Sequence, residues 1–278
     1  MNSPKASLIR VGIGGWTYAP WRGDFYPADL VQRRELEYAS RKVTSIEING
    51  TYYGSQKPAT FAKWRDEAPD DFIFSVKGPR FTTNRRVLGE AGESVMRFLN
   101  GGVLELREKL GPINWQLPPT KHYDPDDFQA FLNVLPPELK GRPLRHVIEA
   151  RHDSFNTPQF IDQLRSRGIA TVFTDKEDVP NLRDVTAAFV YIRLHRSSES
   201  YKAGYPPKQL KAWAERAVQW SKGESPDGDR LIERGKIPQA ASREVFVYAI
   251  DGFKRKAPFA AMALMDKLGT RPASAYGA

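Results

Sequence analysis

Cysteine is absent from this 278-residue chain. The protein therefore has no disulfide framework, no thiolate metal site and no cysteine nucleophile. Compact metal-binding motifs such as HExxH are missing as well, and there are only four histidines. The glycine-rich stretch Gly12–Gly15 lacks the spacing of a dinucleotide or phosphate-binding loop, so we expect no nucleotide cofactor.

Long apolar runs are also missing. No stretch approaches the roughly 18 apolar residues that a membrane span requires. The first residues lack the apolar segment and cleavage site of a secretory signal, and Leu8–Gly15 is more typical of a first β-strand. We therefore expect no membrane association and a cytoplasmic location.

Charge is plentiful and unbalanced, with 42 Lys and Arg against 33 Asp and Glu, a net charge of +9. A basic chain of this kind suggests nucleic-acid binding. The basic residues, however, are scattered in short pairs with acids between them, and only Lys254–Lys256 forms a tight run. This distribution favours a generally basic surface over a dedicated nucleic-acid groove.

Short β-rich runs alternate with segments of helical periodicity, which is typical of βαβ units and a parallel sheet. Eight such strands, and a length close to the roughly 250 residues of an α/β barrel, predict a single (β/α)₈ TIM barrel over residues 1–278. We predict a weak or missing helix between strands six and seven, and a surface loop over residues 223–243. The predicted strands are Leu8–Gly15, Thr44–Ile48, Phe72–Val76, Ile113–Leu117, His146–Glu149, Ile169–Thr174, Phe189–Leu194 and Glu244–Ile250.

Helical periodicity predicts a helix over Leu30–Lys42 and another that begins at Pro58. Glu90–Leu110 is helical in pattern, with a break at Asn100-Gly101-Gly102. The remaining predicted helices are Pro125–Leu135, Thr157–Arg167, Pro207–Lys222 and Pro258–Leu268.

Polar and aromatic side chains follow every predicted strand. Since active sites of α/β barrels lie at the carboxyl ends of the strands, these residues are expected to meet in one mouth. The candidates, in strand order, are Trp16 and Tyr18; Glu47, Asn49, Tyr52 and Tyr53; Lys77; Gln116; Glu149, Arg151 and His152; Asp175; Arg193 and His195; and Asp251.

Several of these segments together carry a family resemblance. GGWTYAPW, EINGTYY, QLPP, EARHDSF, an aspartate after strand six and IRLH, in this order, resemble the YecE-like family, also called domain of unknown function 72. The resemblance implies a TIM barrel with its site at the mouth, but no particular reaction. The chain departs from the family where strand eight ends, because Tyr248–Gly252 replaces an Asn-rich run and only Asp251 is retained.

Three kinds of chemistry fit the candidate residues. Glu47, Glu149 and Asp175 could act as catalytic acid and base, as in a glycosidase with two carboxylates about 5–10 Å apart. The same carboxylates could instead balance basic residues of the mouth. With His152 and His195 they could also bind a divalent metal, as in metal-dependent isomerases or phosphodiesterase-type enzymes.

The third arrangement is an anion clamp for phosphate or carboxylate, made by Lys77, Arg151, Arg193 and His195. Lys77 could in principle also form a Schiff base. A non-enzymatic alternative is that aromatic residues such as Trp16 and Tyr52 stack the bases of single-stranded nucleic acid.

The mixed charge of the mouth favours an enzyme, a hydrolase or lyase, that acts on a small polar, anionic or sugar-like substrate. Glu47, Glu149 and Asp175 are then the catalytic candidates. The expected substrate-binding residues are Trp16, Tyr18, Asn49, Tyr52, Tyr53, Lys77, Gln116, Arg151, His152, Arg193 and His195. The sequence leaves a divalent metal cofactor open, and nucleic acid is the less favoured partner.

Overall fold

Eight parallel strands close into a barrel in a computed structural model that describes residues 8–180, 182–226, 231–233 and 237–272. Around the barrel the order is β1-β8-β7-β6-β5-β4-β3-β2, and β2 pairs with β1 to close the ring. The strands are β1 (Ile9–Gly14), β2 (Ser45–Ile48), β3 (Ile73–Lys77), β4 (Leu110–Gln116), β5 (His146–Glu149), β6 (Ala170–Thr174), β7 (Phe189–Leu194) and β8 (Glu244–Ala249).

Helices follow most of the strands. Several begin at residues that satisfy free backbone N–H groups: Asp124 accepts hydrogen bonds from the N–H groups of Asp126 and Asp127, and Thr157 accepts one from Phe160. No helix in the described ranges is long and apolar enough to cross a membrane. The α-helices are α1 (Glu35–Ser40), α2 (Gly50–Tyr53), α3 (Pro58–Glu67), α4 (Arg80–Thr83), α5 (Gly92–Asn100), α6 (Pro125–Val134), α7 (Pro158–Arg167), α8 (Pro207–Ser221) and α9 (Ala257–Leu268).

Shorter elements complete the connections. A two-stranded antiparallel hairpin, Glu138–Leu139 with Arg142–Pro143, precedes β5. Residues 175–180 and 182–188, which join β6 to β7, form no helix. Of the predicted surface loop, 227–230 and 234–236 lie outside the described residues. The 3₁₀ helices are Ala19–Trp21, Gln32–Arg34, Leu88–Ala91, Val103–Lys109, Asp153–Phe155 and Lys254–Lys256.

The predicted closed α/β barrel is confirmed, and β5 and β7 have the predicted bounds. The long helix predicted over Leu30–Lys42 is wrong at both ends, because only Glu35–Ser40 is α-helical. Strand β4 begins at Leu110, three residues before the predicted start. Gly111-Pro112 looks like a turn in the sequence, but a Cβ at Gly111 would lie 2.8 Å from the Phe74 carbonyl oxygen, so close strand packing requires this glycine.

The barrel interior holds hydroxyl groups among its apolar side chains. Successive side chains of a strand point alternately into and out of the barrel, so Phe189, Tyr191 and Arg193 of β7 share one face. The Ser45 and Tyr248 hydroxyls lie 2.8 Å apart, and the Ser75 and Tyr191 hydroxyls lie 2.6 Å apart. Tyr191 also donates to Glu47 at 2.6 Å, which links this layer to the mouth above it.

Gly12 offers a test of the barrel packing. A Cβ at this position would lie 2.0 Å from the Ser45 carbonyl oxygen of the neighbouring strand, and backbone cannot yield as a flexible side chain does. We expect Gly12→Ala to lower the free energy of unfolding by about 2 kcal/mol or more. Urea denaturation followed by circular dichroism measures this loss.

Gly50→Ala is the matched control, since a Cβ at Gly50 meets nothing within 4 Å and its backbone dihedral φ is not in the positive region. It should change the stability by less than about 0.5 kcal/mol. Equal losses in the two variants would contradict the close strand approach at Gly12.

Candidate functional site

Arg193 joins two carboxylates across the barrel mouth. Its Nε and Nη2 atoms each lie 3.0 Å from a Glu47 oxygen, and its Nη1 atom lies 2.9 Å from both Glu149 oxygens. All three side chains are buried. We call this arrangement the Glu47–Arg193–Glu149 bridge; it connects strands β2, β7 and β5.

Glu149 is the most heavily bonded member of the bridge. It also accepts hydrogen bonds from Arg151 at 2.6 and 2.9 Å and from Asn114 at 3.0 Å. Burial favours the neutral acid, but Arg193, Lys77 and Arg151 outweigh it and hold the pKa of Glu149 well below its ordinary value. Glu149 is therefore a carboxylate at neutral pH, with its oxygens occupied.

Asp175 fastens the ends of β6 and β7 together. One carboxylate oxygen accepts the His195 backbone N–H at 2.6 Å, and the other accepts the Tyr205 hydroxyl at 2.7 Å. That hydroxyl in turn accepts the Arg196 N–H at 2.7 Å. Burial raises the pKa of Asp175. These contacts give Asp175 a role in shaping the loop after β7.

A cavity of about 300 Å³ opens above the bridge. Among the described residues, four cationic side chains line it, together with a single carboxylate, that of Asp251. The Glu47, Glu149 and Asp175 carboxylates are not among its lining residues. The lining residues are Asn49, Tyr52, Tyr53, Lys77, Gln116, Arg151, Arg193, His195, Ile250, Asp251 and Lys254.

Lys77, the last residue of β3, is 5% exposed. Its amine hydrogen-bonds to Gln116 Oε1 and lies 4.5 Å from the centre of the Tyr52 ring. Gln116 Nε2 donates to the Tyr52 hydroxyl at 3.1 Å, so the three side chains form one connected group. Burial and the Arg193 charge lower the pKa of Lys77 to about 8, against the opposing effect of Glu149 and Glu47.

His195 and Lys254 occupy the opposite part of the lining. Burial and the charge of Arg193 lower the pKa of His195 to about 3, so its imidazole is neutral at physiological pH. Its buried Nδ1 has no hydrogen-bond partner among the described residues. Lys254 Nζ lies 5.0 Å from the Tyr18 ring centre, and burial lowers the pKa of Lys254.

Three of the predicted substrate-binding residues lie outside the lining. Trp16 packs edge-on against Trp64 at 5.1 Å, and Tyr18 packs edge-on against Trp21 at 5.3 Å. His152 stacks on His122 at 3.9 Å and hydrogen-bonds to Ser154. The aromatic loop after β1 thus packs mainly against itself and α3, because its large rings find apolar neighbours there.

The donors proposed for a divalent metal are dispersed. Glu47 and Glu149 share Arg193, Asp175 accepts from the β7 loop, and His152 lies away from the cavity. In the described part of the chain, no group of three or more His, Asp or Glu side chains is placed to hold a metal ion. The side chains present do not fit the metal arrangement.

Two lining residues were missing from the predicted set, Lys254 and Ile250. Ile250 follows β8 directly. Lys254 belongs to the only tight basic run of the chain, and that run was the signal available for finding it. The predicted residues that do meet at the cavity are Asn49, Tyr52, Tyr53, Lys77, Gln116, Arg151, Arg193, His195 and Asp251.

Comparison with known proteins identifies the family. A family profile described as "Protein of unknown function DUF72" matches residues 10–276. The chain belongs to the DUF72 family. The predicted resemblance is thereby confirmed.

One sequence relative and two solved structures show what this DUF72 protein is similar to. UPF0759 protein YecE of Escherichia coli K12 is 27% identical over 165 residues, 58% of this chain and 55% of that protein, so little more than half of YecE is matched. A DUF72 protein of Thermotoga maritima has a crystal structure with a TM-score of 0.71 at 21% identity, covering 95% of this chain and 100% of that one. One from Enterococcus faecalis gives 0.67 at 18%, covering 94% and 97%.

Because of the Glu47–Arg193–Glu149 bridge, we expect the free energy of unfolding to fall at acid pH. A folded-state pKa below the ordinary value means that Glu149 stabilises the fold above about pH 4.5, and that this contribution is lost as the pH falls below it. Glu149→Gln should therefore cost about 3 kcal/mol at pH 7. Urea denaturation at pH 7 and pH 3 should show a smaller difference between the two pH values for the variant than for the unchanged protein.

Glu93→Gln provides the control, because Glu93 pairs with Arg97 on the exposed face of α5. An exposed pair contributes at most about 0.5 kcal/mol, and little of the acid dependence should change. If Glu149→Gln were as mild as Glu93→Gln, the bridge would not be the buried ionic contact described here.

Proposed function

We propose that this DUF72 protein is an enzyme, a hydrolase or lyase, that acts on a small anionic substrate in the barrel mouth. The observation that carries the proposal is the charge of the cavity lining: Lys77, Arg151, Arg193 and Lys254 against the single carboxylate Asp251. Amines and guanidinium groups bind carboxylate and phosphate oxygens by charge-assisted hydrogen bonds.

The Glu47–Arg193–Glu149 bridge decides which lining cations are free to bind an anion: Arg193 and Arg151 are paired with carboxylates, whereas Lys77 and Lys254 have no ion pair among the described residues. Glu47 and Glu149 lie beneath the cavity and are paired with the arginines, so their carboxylates do not line the cavity. The remaining polar lining groups, Asn49 and Gln116, are neutral, and so is His195 at physiological pH. Partly shielded cations in a recess attract an anion more strongly than exposed ones do.

A two-carboxylate mechanism of the glycosidase kind receives little support from this geometry. A general acid must carry a proton, yet Arg193, Lys77 and Arg151 keep Glu149 ionised. Glu47 is fully buried behind Arg193. Lys77 is the better candidate for proton transfer, because its pKa of about 8 lies close to neutral pH.

The alternatives have less support. The proposed metal donors are dispersed, which weighs against a metal-dependent isomerase or phosphodiesterase. Base stacking needs exposed rings, but Trp21 is fully buried and Trp16 and Tyr18 are packed, whereas Tyr53 is 72% exposed. Of the exposed rings among the described residues, Tyr53, Phe81 and Tyr201, only Tyr53 lines the cavity. One such ring with Arg80 beside it is a weak platform for single-stranded nucleic acid.

Lys254→Gln tests the anion site directly. Removing one of the four lining cations should weaken the binding of oxalate or inorganic phosphate about tenfold, an effect of the size expected for one charge-assisted hydrogen bond. Isothermal titration calorimetry measures the dissociation constants at low salt.

Lys256→Gln is the matched control: it removes the same charge two residues away, from a side chain that does not line the cavity. Its oxalate affinity should stay within about twofold of the unchanged protein. Equal weakening in both variants would indicate a diffuse surface field, and no millimolar binding of either anion would contradict the proposed function.

Oxalate affinity should also depend on pH through Lys77. Lys77 is charged below its pKa of about 8 and neutral above it, so the affinity should fall as the pH rises through about 8. Oxalate keeps its own charge over this range, and His195 remains neutral. Calorimetry from pH 6 to 9 measures the step.

Lys77→Arg keeps a charge at this position throughout that range and should remove the step. Burial also lowers the pKa of Lys254, so any pH dependence of the oxalate affinity that is left in this variant belongs to Lys254. A step that survives unchanged in Lys77→Arg would contradict the assignment to Lys77.

A further inference from the structure

Lys77 differs from Lys109, the other buried lysine among the described residues, in what surrounds its amine. Both side chains belong to residues that are 5% exposed. Lys109 Nζ donates to the carbonyl oxygens of Arg65 and Ala68 at 2.8 Å each, and Asp70 lies 4.0 Å away. These contacts hold Lys109 as a structural cation that ties α3 to the segment before β4.

The Lys77 amine has fewer hydrogen-bond partners than the Lys109 amine. Within the described ranges its one hydrogen bond goes to the neutral Gln116 amide, and no carboxylate lies within ion-pair distance. Its other neighbour is the face of the Tyr52 ring. The arginines of the mouth have taken the nearby carboxylates, so Lys77 is not needed as their charge partner, and it lines the cavity.

We propose that Lys77 is a nucleophile that forms an imine with the carbonyl carbon of an anionic aldehyde or ketone. This inference rests on the proposed function, since the lining cations hold the substrate's carboxylate or phosphate while its carbonyl meets the amine. It names the substrate class and favours a lyase over a hydrolase.

The reaction needs no group beyond the amine, the carbonyl compound and a proton donor. The neutral amine nitrogen attacks the carbonyl carbon, which forms a C–N bond and leaves a hydroxyl on that carbon. The nitrogen gives up one proton, and the hydroxyl gains a proton and departs as water, which leaves the protonated imine. Loss of its N–H proton to solvent then gives the neutral imine. The net change is amine plus carbonyl to imine plus water, without oxidation or reduction.

Tyr52 is placed to assist the loss of water. In the described structure its hydroxyl accepts a hydrogen bond from Gln116 Nε2 and makes none as a donor. Burial raises the pKa of Tyr52, so the phenol keeps its proton at neutral pH. The protonated imine then draws electrons from a bond to the adjacent carbon, which is the step that lets a lyase cleave that bond.

Reductive trapping tests the proposal on the intact protein. Glyoxylate, which carries an aldehyde and a carboxylate, is added with sodium cyanoborohydride at pH 7, and the adducts are located by peptide mass spectrometry. A lysine with a pKa of about 8 instead of 10.5 has a neutral fraction more than a hundredfold larger at this pH. We expect one adduct, on Lys77, formed about tenfold or more faster than on any exposed lysine.

Three comparisons make the result specific. Oxalate should slow the trapping at Lys77, and Lys109 should stay unlabelled. Lys77→Arg should bind oxalate and form no fast adduct, which separates loss of the nucleophile from loss of the fold. Lys254→Gln should need about tenfold more glyoxylate for the same rate, because it weakens the hold on the carboxylate.

The two proposals fail in different ways. Even labelling of exposed lysines, or an unlabelled Lys77 in protein that binds oxalate, would overturn the imine and leave the anion site standing. Fast labelling of Lys77 that oxalate does not slow, in protein that binds no oxalate, would support the nucleophile and overturn the anion site.

Discussion

Arg193 is bound on two sides by carboxylates that come from different parts of the barrel. Strand β3 and strand β4 separate β2 from β5, and β6 separates β5 from β7, so the bridge crosses the interior instead of joining neighbours. Its guanidinium satisfies two buried charges that would otherwise be expensive to keep out of water. Without Arg193, the Glu47 carboxylate would have no ionic partner and Glu149 would keep only Arg151, so the mouth would be more acidic.

The bridge also explains why the groups that face the ligand are mainly basic. Glu47 and Glu149 are paired with Arg193 and Arg151, so among the described residues only Lys77 and Lys254 of the lining cations have no carboxylate within ion-pair distance. Lys77 is the clearest case, since Arg193 and Arg151 take Glu149 and leave the amine against an amide and an aromatic face. Fold and reactivity are therefore connected, because burial at the barrel mouth, with a smaller contribution from the Arg193 charge, lowers the pKa of Lys77.

The sequence predicts the barrel well and the contacts within its mouth poorly. Strands such as Phe189–Leu194 are short, rich in β-branched and aromatic residues and bounded by turn residues, so local pattern suffices to find them. Alternation places Glu47 and Asn49 on the same side of β2, but not at the same depth, and only Asn49 reaches the cavity. Lys254, five residues beyond β8, enters through a loop path that periodicity does not describe.

A bridge that ties three separated strands fixes the width of the mouth. The strands cannot spread to admit a bulkier molecule without breaking buried ionic contacts, so the size of the cavity is fixed by the barrel. Selection by size would follow from the scaffold itself, and only the loops remain free to adjust the fit.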